Sequence, residues 1–311
     1  MRVGVVDIGT NSTRLLIADV DPASGRIAER DRRSQVTHLG AGVDASGRLS
    51  DAAMGRVHAT LDAYAAALDA AEVPADARIA VLTSAVRDAA NGADFTASVR
   101  ERYGLDAHTI AGEREARLTF LGATHGRDPD DRTPLLVFDI GGGSTELVVG
   151  HHGQVDFFVS TQLGVVRQSE RHLRSDPPLP SELQALADDV RSVLHAQIPV
   201  AVRDAAEHAI GVAGTATSLA AIAQRLEPYD PARVHGYVVA LSEAELQLAR
   251  LAQLSLAQRR DVPGLHPDRA PTIVAGVVIL IEVLRFFGIK QVEVSEHDIL
   301  HGALLERARA S

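Results

Sequence analysis

Asp139-Ile140-Gly141-Gly142-Gly143-Ser144-Thr145-Glu146-Leu147 decides how the rest of the chain is read. The apolar run Leu135-Leu136-Val137-Phe138 leads into Asp139, and a second, Leu147-Val148-Val149, follows Glu146. The pattern is strand, tight turn, strand. Three consecutive glycines remove every Cβ from the turn, so backbone N–H groups can close on an anion. Ser144 and Thr145 add hydroxyl donors. Asp139, at the strand end, is placed to hold a cation or a metal-bound water.

The pattern occurs twice. Val5-Val6-Asp7-Ile8-Gly9-Thr10-Asn11-Ser12-Thr13-Arg14-Leu15 overlays residues 137–147 without a gap, and Asp, Ile, Gly, Ser, Thr and Leu coincide. Further on, a turn at Asp21–Gly25 matches one at His151-His152-Gly153, and Leu39-Gly40 matches Leu163-Gly164. One glycine turn is only a turn. Two copies, each after an apolar strand that ends in Asp, point to a duplicated strand–loop–hairpin unit.

With 311 residues the chain can build two domains with substantial cores. At 46% hydrophobic residues it is globular rather than disordered. The absence of cysteine excludes disulfides, thiolate metal sites and a thiol nucleophile. A net charge of −10 opposes broad nucleic-acid binding, and a polyanionic substrate would need a local basic groove. Met1-Arg2 runs straight into a strand with no charged-then-apolar leader, and the most apolar stretch, Ile273 to Ile281, is shorter than the ~20 residues a bilayer requires. The expectation is a soluble, cytoplasmic protein with neither membrane nor nucleic acid as partner.

Residues 3–20 and 26–37 read as a strand meander. Ser50 is a helix N-cap, followed by the buried stripe Met54, Val57, Leu61, Tyr64 and Leu68. A strand at 79–82 ends at Thr83-Ser84; short helices follow at 85–90 and 93–103, a brief strand at 108–110, and a helix from Gly112 to Ala123. The polar, turn-rich segment 126–134 marks a domain boundary. The spacing then predicts a helix near 165–173, a long helix capped by Ser181 and interrupted at Pro199, a strand at 208–212 ending in a third glycine turn, an apolar helix over 273–287, a strand at 292–295 and a helix over 301–310. The first domain is expected to hold residues 1–126 plus a C-terminal helix at about 297–311, the second residues 133–296. The order implies an α/β fold with a mixed sheet and helices on both faces in each half.

Two facing halves with paired Asp-Ile-Gly turns would line a cleft with anion-binding loops, which suits phosphate handling. Chemistry at phosphorus also needs a base to orient the attacking group, and Glu113 and Glu115 stand at the start of a helix where either could serve. Asp139 and Glu146 are the metal candidates, with Asp7 assisting through water; a magnesium ion held by one or two carboxylates and by phosphate oxygens suits them. Arg14, Arg167 and Arg269 are further basic candidates. His297-Asp298 reads as a chance dipeptide.

At this point the chain resembles the Ppx/GppA family of exopolyphosphatases and guanosine-pentaphosphate phosphohydrolases, within the actin–sugar kinase–Hsp70 superfamily. Seven segments carry the resemblance in order: Asp7–Leu15, Thr83–Asn91, Ile110–Leu118, Asp139–Leu147, Leu163–Arg167, Gly211–Thr217 and Pro263–Ala270. The resemblance implies duplicated RNase-H-like, actin-like domains around a cleft. It favours Glu115 over Glu113 as the base and gives Arg87 a phosphate contact. It assigns terminal-phosphate clamping to Asn11, Ser12, Thr13, Gly141, Gly142, Gly143, Ser144 and Thr145, and a loop beside the substrate to Gly214 and Thr215, with Arg269 nearby. The implied cofactor is Mg²⁺, for which Mn²⁺ can substitute. The implied substrates are inorganic polyphosphate or guanosine pentaphosphate, and the implied assembly a homodimer of the short two-domain type. Departures include Thr10 where Ser is usual and Gln168-Ser169-Glu170 for Leu-Thr-Glu; none removes a proposed catalytic carboxylate.

Overall fold

Alternating burial along the first strand shows how the chain is layered. Val6 and Ile8 point to one face of a sheet and Val3 and Val5 to the other, and all four are fully buried. A strand apolar on both faces needs helices on both faces. The computed structural model, which describes residues 1–128, 130–151 and 154–309, supplies them. The chain forms two units, Met1–Gly122 with Asp298–Ser311, and Ala123–His297.

The first unit contains β1 (Arg2–Ile8), β2 (Ser12–Val20), β3 (Ile27–Val36), α1 (Val43–Ser46), α2 (Asp51–Ala70), β4 (Arg78–Leu82), α3 (Ser84–Asp88), α4 (Gly92–Tyr103), β5 (Asp106–Thr109) and α5 (Gly112–Ala123). Its sheet has the order β3-β2-β1-β4-β5. The first three strands are an antiparallel meander, and β4 and β5 run parallel to β1. Helices α2 and α4 cover one face through Val57, Leu61, Leu68, Phe95 and Val99. Ser50 caps α2 as the sequence indicates, accepting the Ala53 N–H at 3.3 Å.

The second unit contains β6 (Leu135–Ile140), β7 (Thr145–His151), β8 (Gln154–Thr161), α6 (Val165–His172), α7 (Pro180–Gln197), α8 (Val200–Arg203), β9 (His208–Val212), α9 (Ala213–Gln224), α10 (Pro231–Val234), β10 (Val238–Ala240), α11 (Leu241–Leu251), α12 (Leu256–Arg260), α13 (Ile273–Phe287) and β11 (Gln291–Val294). Its sheet runs β10-β11-β9-β6-β7-β8. Again the first three strands are an antiparallel meander, and β9 lies parallel to the first of them. The buried helix α13 packs in the core with α7 and α9. The duplicated α/β architecture expected from the repeat, and the RNase-H-like layout that the resemblance implies, are the observed ones.

Helix α14 (Ile299–Arg309) belongs to the first unit and covers the second face of its sheet with Ile299, Leu300, Ala303 and Leu304. It crosses α5 at two glycines. A Cβ on Gly122 would lie 1.9 Å from the Asp298 carbonyl oxygen, and one on Gly302 1.9 Å from that of Leu118. Only bare backbone permits this approach.

Several boundaries differ from expectation. The sequence reading puts the break between domains at 126–134; the two units meet at Gly122/Ala123. Helix α7 starts at Pro180, not behind a Ser181 cap, because proline suits the first helical position and the Glu182 carboxylate accepts the Leu179 N–H at 2.9 Å. The helix ends at Gln197, ahead of Pro199, which precedes the separate turn α8. Helix α14 starts two residues before His301, since the Asp298 side chain accepts the Leu300 N–H at 3.0 Å. His152 and Gly153 of the expected second turn, Pro129 of the expected linker and Ala310 of the last helix lie outside the described residues. Among the described residues no helix is long and apolar enough to cross a membrane.

Candidate active site

In each unit the candidate residues leave the carboxyl ends of adjacent parallel strands, where open α/β sheets bind ligands. In the first unit Ile8 pairs with Leu82, and Leu82 with Thr109. The turn at 9–11, the Arg87 helix and the Glu115 helix thus emerge side by side. In the second, Asp139 pairs with Val212, so the triple-glycine turn and the Gly214 loop are neighbours.

The two hairpins close identically. The Gly9 N–H donates to the Ser12 carbonyl at 2.9 Å, and the Gly141 N–H to the Ser144 carbonyl at 2.9 Å. Each turn is then backed by the matching Leu-Gly segment. Gly40 donates to the Thr10 carbonyl at 2.8 Å, while Val165 and Val166 donate to the Gly141 and Gly142 carbonyls at 2.9 Å. Gly164 lies directly on the glycine turn: a Cβ there would meet the Gly142 oxygen and the Gly143 carbon at 2.2 Å. Arg167 Nε also donates to the Gly143 carbonyl, at 3.1 Å. With the carbonyl side of the turn held by α6, its N–H side is what the loop can offer an anion.

The hydroxyls divide by depth. Thr13 and Thr145 are fully buried; the first pairs with Thr37 at 3.1 Å and the second donates to the Leu163 carbonyl. Thr145 thereby holds its hairpin to the Leu163-Gly164 segment, and Thr13 holds its own to the strand end just before Leu39-Gly40. Asn11 bonds His38 Nδ1 through Oδ1 at 3.1 Å, Ser144 is buried in the turn, and Ser12 is half-buried. Thr10 works differently. Its hydroxyl accepts the Ala85 N–H at 3.1 Å and so ties the turn to the helix that carries Arg87.

The two glutamates at the start of α5 are in different surroundings. Glu115 is buried, 7% exposed, and Oε2 accepts from Arg87 Nη1 at 2.9 Å; the same nitrogen donates to the Ile110 carbonyl at 3.0 Å. Glu113 is exposed and paired with Arg117 one turn on, at 3.3 Å. Glu115 lies three and four residues before buried Leu118 and Thr119; Glu113 lies three before buried Ala116 and four before an exposed arginine.

The acids on the hairpins differ as well. Asp139 and Glu146 face each other across β6 and β7, so their side chains share one face of the sheet. They are 8% and 1% exposed, and the Ser160 hydroxyl donates to Glu146 Oε1 at 2.7 Å. Two carboxylates and a hydroxyl are hard oxygen donors, a set that fits Mg²⁺. At the equivalent positions Asp7 faces Arg14. Arg14 Nε and Nη2 donate to Asp7 Oδ2 at 2.9 and 2.6 Å, and Arg14 Nη1 bonds Asp298. Burial pushes the Asp7 carboxyl above its ordinary range despite Arg14. Burial also opposes ionisation of Asp298, but Arg14, Arg32 and His301 together hold it below the ordinary range.

The third loop is narrower than the sequence suggests. The Arg269 guanidinium occupies the space over Gly214, with Nη1 1.2 Å from where a Cβ would stand, and Thr215 is buried against Gly276. Tyr229, 46% exposed, bonds Glu296 and lies within reach of Thr217 and Arg269. Tyr229 and Ser160 carry no motif that sequence reading would single out; Asp298 stands in the His297-Asp298 dipeptide that reads as chance, and Arg14 stands in the repeat where Glu146 stands.

The sequence model of the Ppx/GppA phosphatase family matches residues 16–310. The chain belongs to this family. Its members are phosphoanhydride hydrolases, and this chain is one. It is 38% identical to exopolyphosphatase 2 of Mycobacterium tuberculosis over 318 aligned positions, covering 99% of this chain and 98% of that one. Among solved structures, an exopolyphosphatase-like protein superposes with a TM-score of 0.92 at 34% identity, over 100% of this chain and 99% of that one. An exopolyphosphatase from Cytophaga hutchinsonii gives 0.88 at 26% identity, over 100% and 98%.

Proposed function

We propose that this Ppx/GppA member is an exopolyphosphatase that removes terminal phosphate from inorganic polyphosphate. The observation that carries the reading is the buried Glu115 carboxylate held by Arg87, beside a hairpin turn of anion-binding design. Glu115 orients a water in line with the terminal phosphorus and accepts its proton as the new P–O bond forms. The bridging P–O bond breaks, and the products are orthophosphate and a chain one unit shorter. Arg87 fixes the Glu115 carboxylate and offers its remaining guanidinium donors to phosphate oxygens. In the first unit the Asn11 and Ser12 side chains hold phosphoryl oxygens beside Glu115; in the second, the Gly142 and Gly143 N–H groups offer a further anion-binding turn. Asp139 and Glu146 would hold Mg²⁺, or Mn²⁺ in its place, which supplies charge neutralisation to phosphate oxygens.

Guanosine pentaphosphate is the second reading, and Tyr229 favours it. A half-exposed aromatic ring near Arg269 and the Gly214 loop is a surface on which a base can stack. Phosphate release measured side by side on short polyphosphate, long polyphosphate and guanosine pentaphosphate, with and without Mg²⁺, separates the readings. Metal-dependent release from polyphosphate is expected; preferential release from the nucleotide favours the second reading, and no release from any of the three sinks both.

A further inference from the structure

The ion pairs of the first hairpin place Arg14 between two buried carboxylates, one of them supplied by a residue 284 positions away in sequence. Both bonds to Asp7 fall on Oδ2, from Nε and Nη2. That edge of a guanidinium is the one that ordinarily forks across both oxygens of a carboxylate. Here it does not, and Nη1 is engaged by Asp298.

Asp298 is itself tightly fixed. It is 2% exposed, its side chain accepts the Leu300 N–H at 3.0 Å, and its carbonyl accepts the Gly302 N–H at 3.0 Å. Its backbone also abuts Gly122 of α5, the helix that carries Glu115. Helix α14 thus brings an anchored negative charge to the guanidinium from the side away from Asp7.

We infer that Asp298 is a positioning residue, which holds the Arg14 guanidinium so that it consumes one oxygen of Asp7 and leaves Oδ1 for the phosphate-binding turn. The idea rests on the proposed function in one respect, that Asp7 serves phosphate or its bound metal. Without the second carboxylate the pull on Nη1 is lost and the fork closes over both oxygens of Asp7. The C-terminal helix then acts as a part of the hairpin it packs against, and α14 contributes to turnover without touching substrate.

The test is Asp298→Asn, which keeps the size and the helix-capping oxygen and removes the charge. Its crystal structure should show Arg14 forked across Oδ1 and Oδ2 of Asp7. On polyphosphate, kcat should fall about 10- to 100-fold with KM changed less than about 3-fold, the scale of a misplaced group near the chemistry. In an Asp7→Asn background the same substitution should add little further loss, because the residue through which it acts is gone. Thermal melting separates this from general destabilisation: a fall in kcat that simply follows a fall in Tm, or additive losses in the double variant, overturns the inference. So does an unchanged one-oxygen contact in the variant crystal. That last readout needs no substrate, so it decides the positioning role even if wild-type protein releases no phosphate and the proposed function fails.

Discussion

The two hairpins share a backbone and differ in charge. Gly9–Ser12 and Gly141–Ser144 close the same turn with the same bond, and Gly40 and Gly164 back them. Across the strands, however, Asp7 meets a cation in Arg14 while Asp139 meets an anion in Glu146. On the proposed function the Asp139–Glu146 pair holds the divalent cation, whereas Asp7 is held by a guanidinium. The anion-binding turn occurs twice, and under that reading a single cross-strand exchange gives the copies different work. In the first unit the acid proposed for catalysis comes from α5 instead, through Glu115 and its arginine.

The largest effects should separate these two acid sites. Glu115→Gln is expected to lower kcat on polyphosphate about 10²- to 10⁴-fold, the range of a lost general base, with Mn²⁺ binding by calorimetry unchanged. Glu113→Gln, at an exposed site, should stay within about twofold. Glu146→Gln should do the reverse of Glu115→Gln and weaken Mn²⁺ binding about 10- to 100-fold. If Glu146→Gln left metal affinity intact while Glu113→Gln abolished release, the division of labour between the units would be wrong.

The backing glycines sharpen the comparison on stability. At Gly164 a methyl group meets backbone at 2.2 Å, which cannot yield without moving the turn. At Gly40 it meets Thr10 Cγ2 at 2.2 Å and Ala85 at 3.2 Å, both side chains. Gly164→Ala should therefore cost about 3 kcal/mol or more and Gly40→Ala about 1–2, the upper and lower parts of the overpacking range. Denaturant melts of the two variants check the order; equal losses would mean that the second turn is no more rigidly backed than the first.

How far the sequence reveals this depends on the range of each interaction. The hairpins are legible because strand–turn–strand is local and is written twice, so that one copy checks the other. The preference for Glu115 over Glu113 comes from the resemblance and not from the local pattern, because both stand at helical spacing from buried residues, Glu115 from Leu118 and Thr119 and Glu113 from Ala116 and Phe120. Arg14 is visible as the odd member of the overlay, yet its meaning depends on Asp298, and no local pattern foretells a contact across 284 residues. The cap of α7 misleads for the opposite reason. Ser181 is a good capping type, but Pro180 fits the first helical position and the Glu182 carboxylate takes the Leu179 N–H. Two local rules compete one residue apart.

The smallest expected effect lies at the far end of the first hairpin. There Arg2 pairs with Asp19 across β1 and β2, with Nε to Oδ1 at 2.8 Å, and Arg30 reaches the same carboxylate at 2.7 Å. At the corresponding end of the second hairpin Pro134 stands in the place of Arg2 and His151 in that of Asp19, and His151 Nδ1 bonds Asp156 at 3.0 Å instead. Hydrogen bonding from Arg2, then from Arg30, together with their charges, holds Asp19 down at about 2 against the pull of partial burial. A carboxyl depressed in the folded state contributes stability above its unfolded value, near 3.8, and loses that contribution as pH falls toward 2. The pair is partly solvated, so the contribution is about 1 kcal/mol or less. Asp19→Asn should melt slightly below the wild type at pH 6, and the gap should narrow as the pH is lowered from about 4 and largely close by about 2. A gap as large at pH 2 as at pH 6 would mean that the carboxylate's charge is not what staples this end of the hairpin.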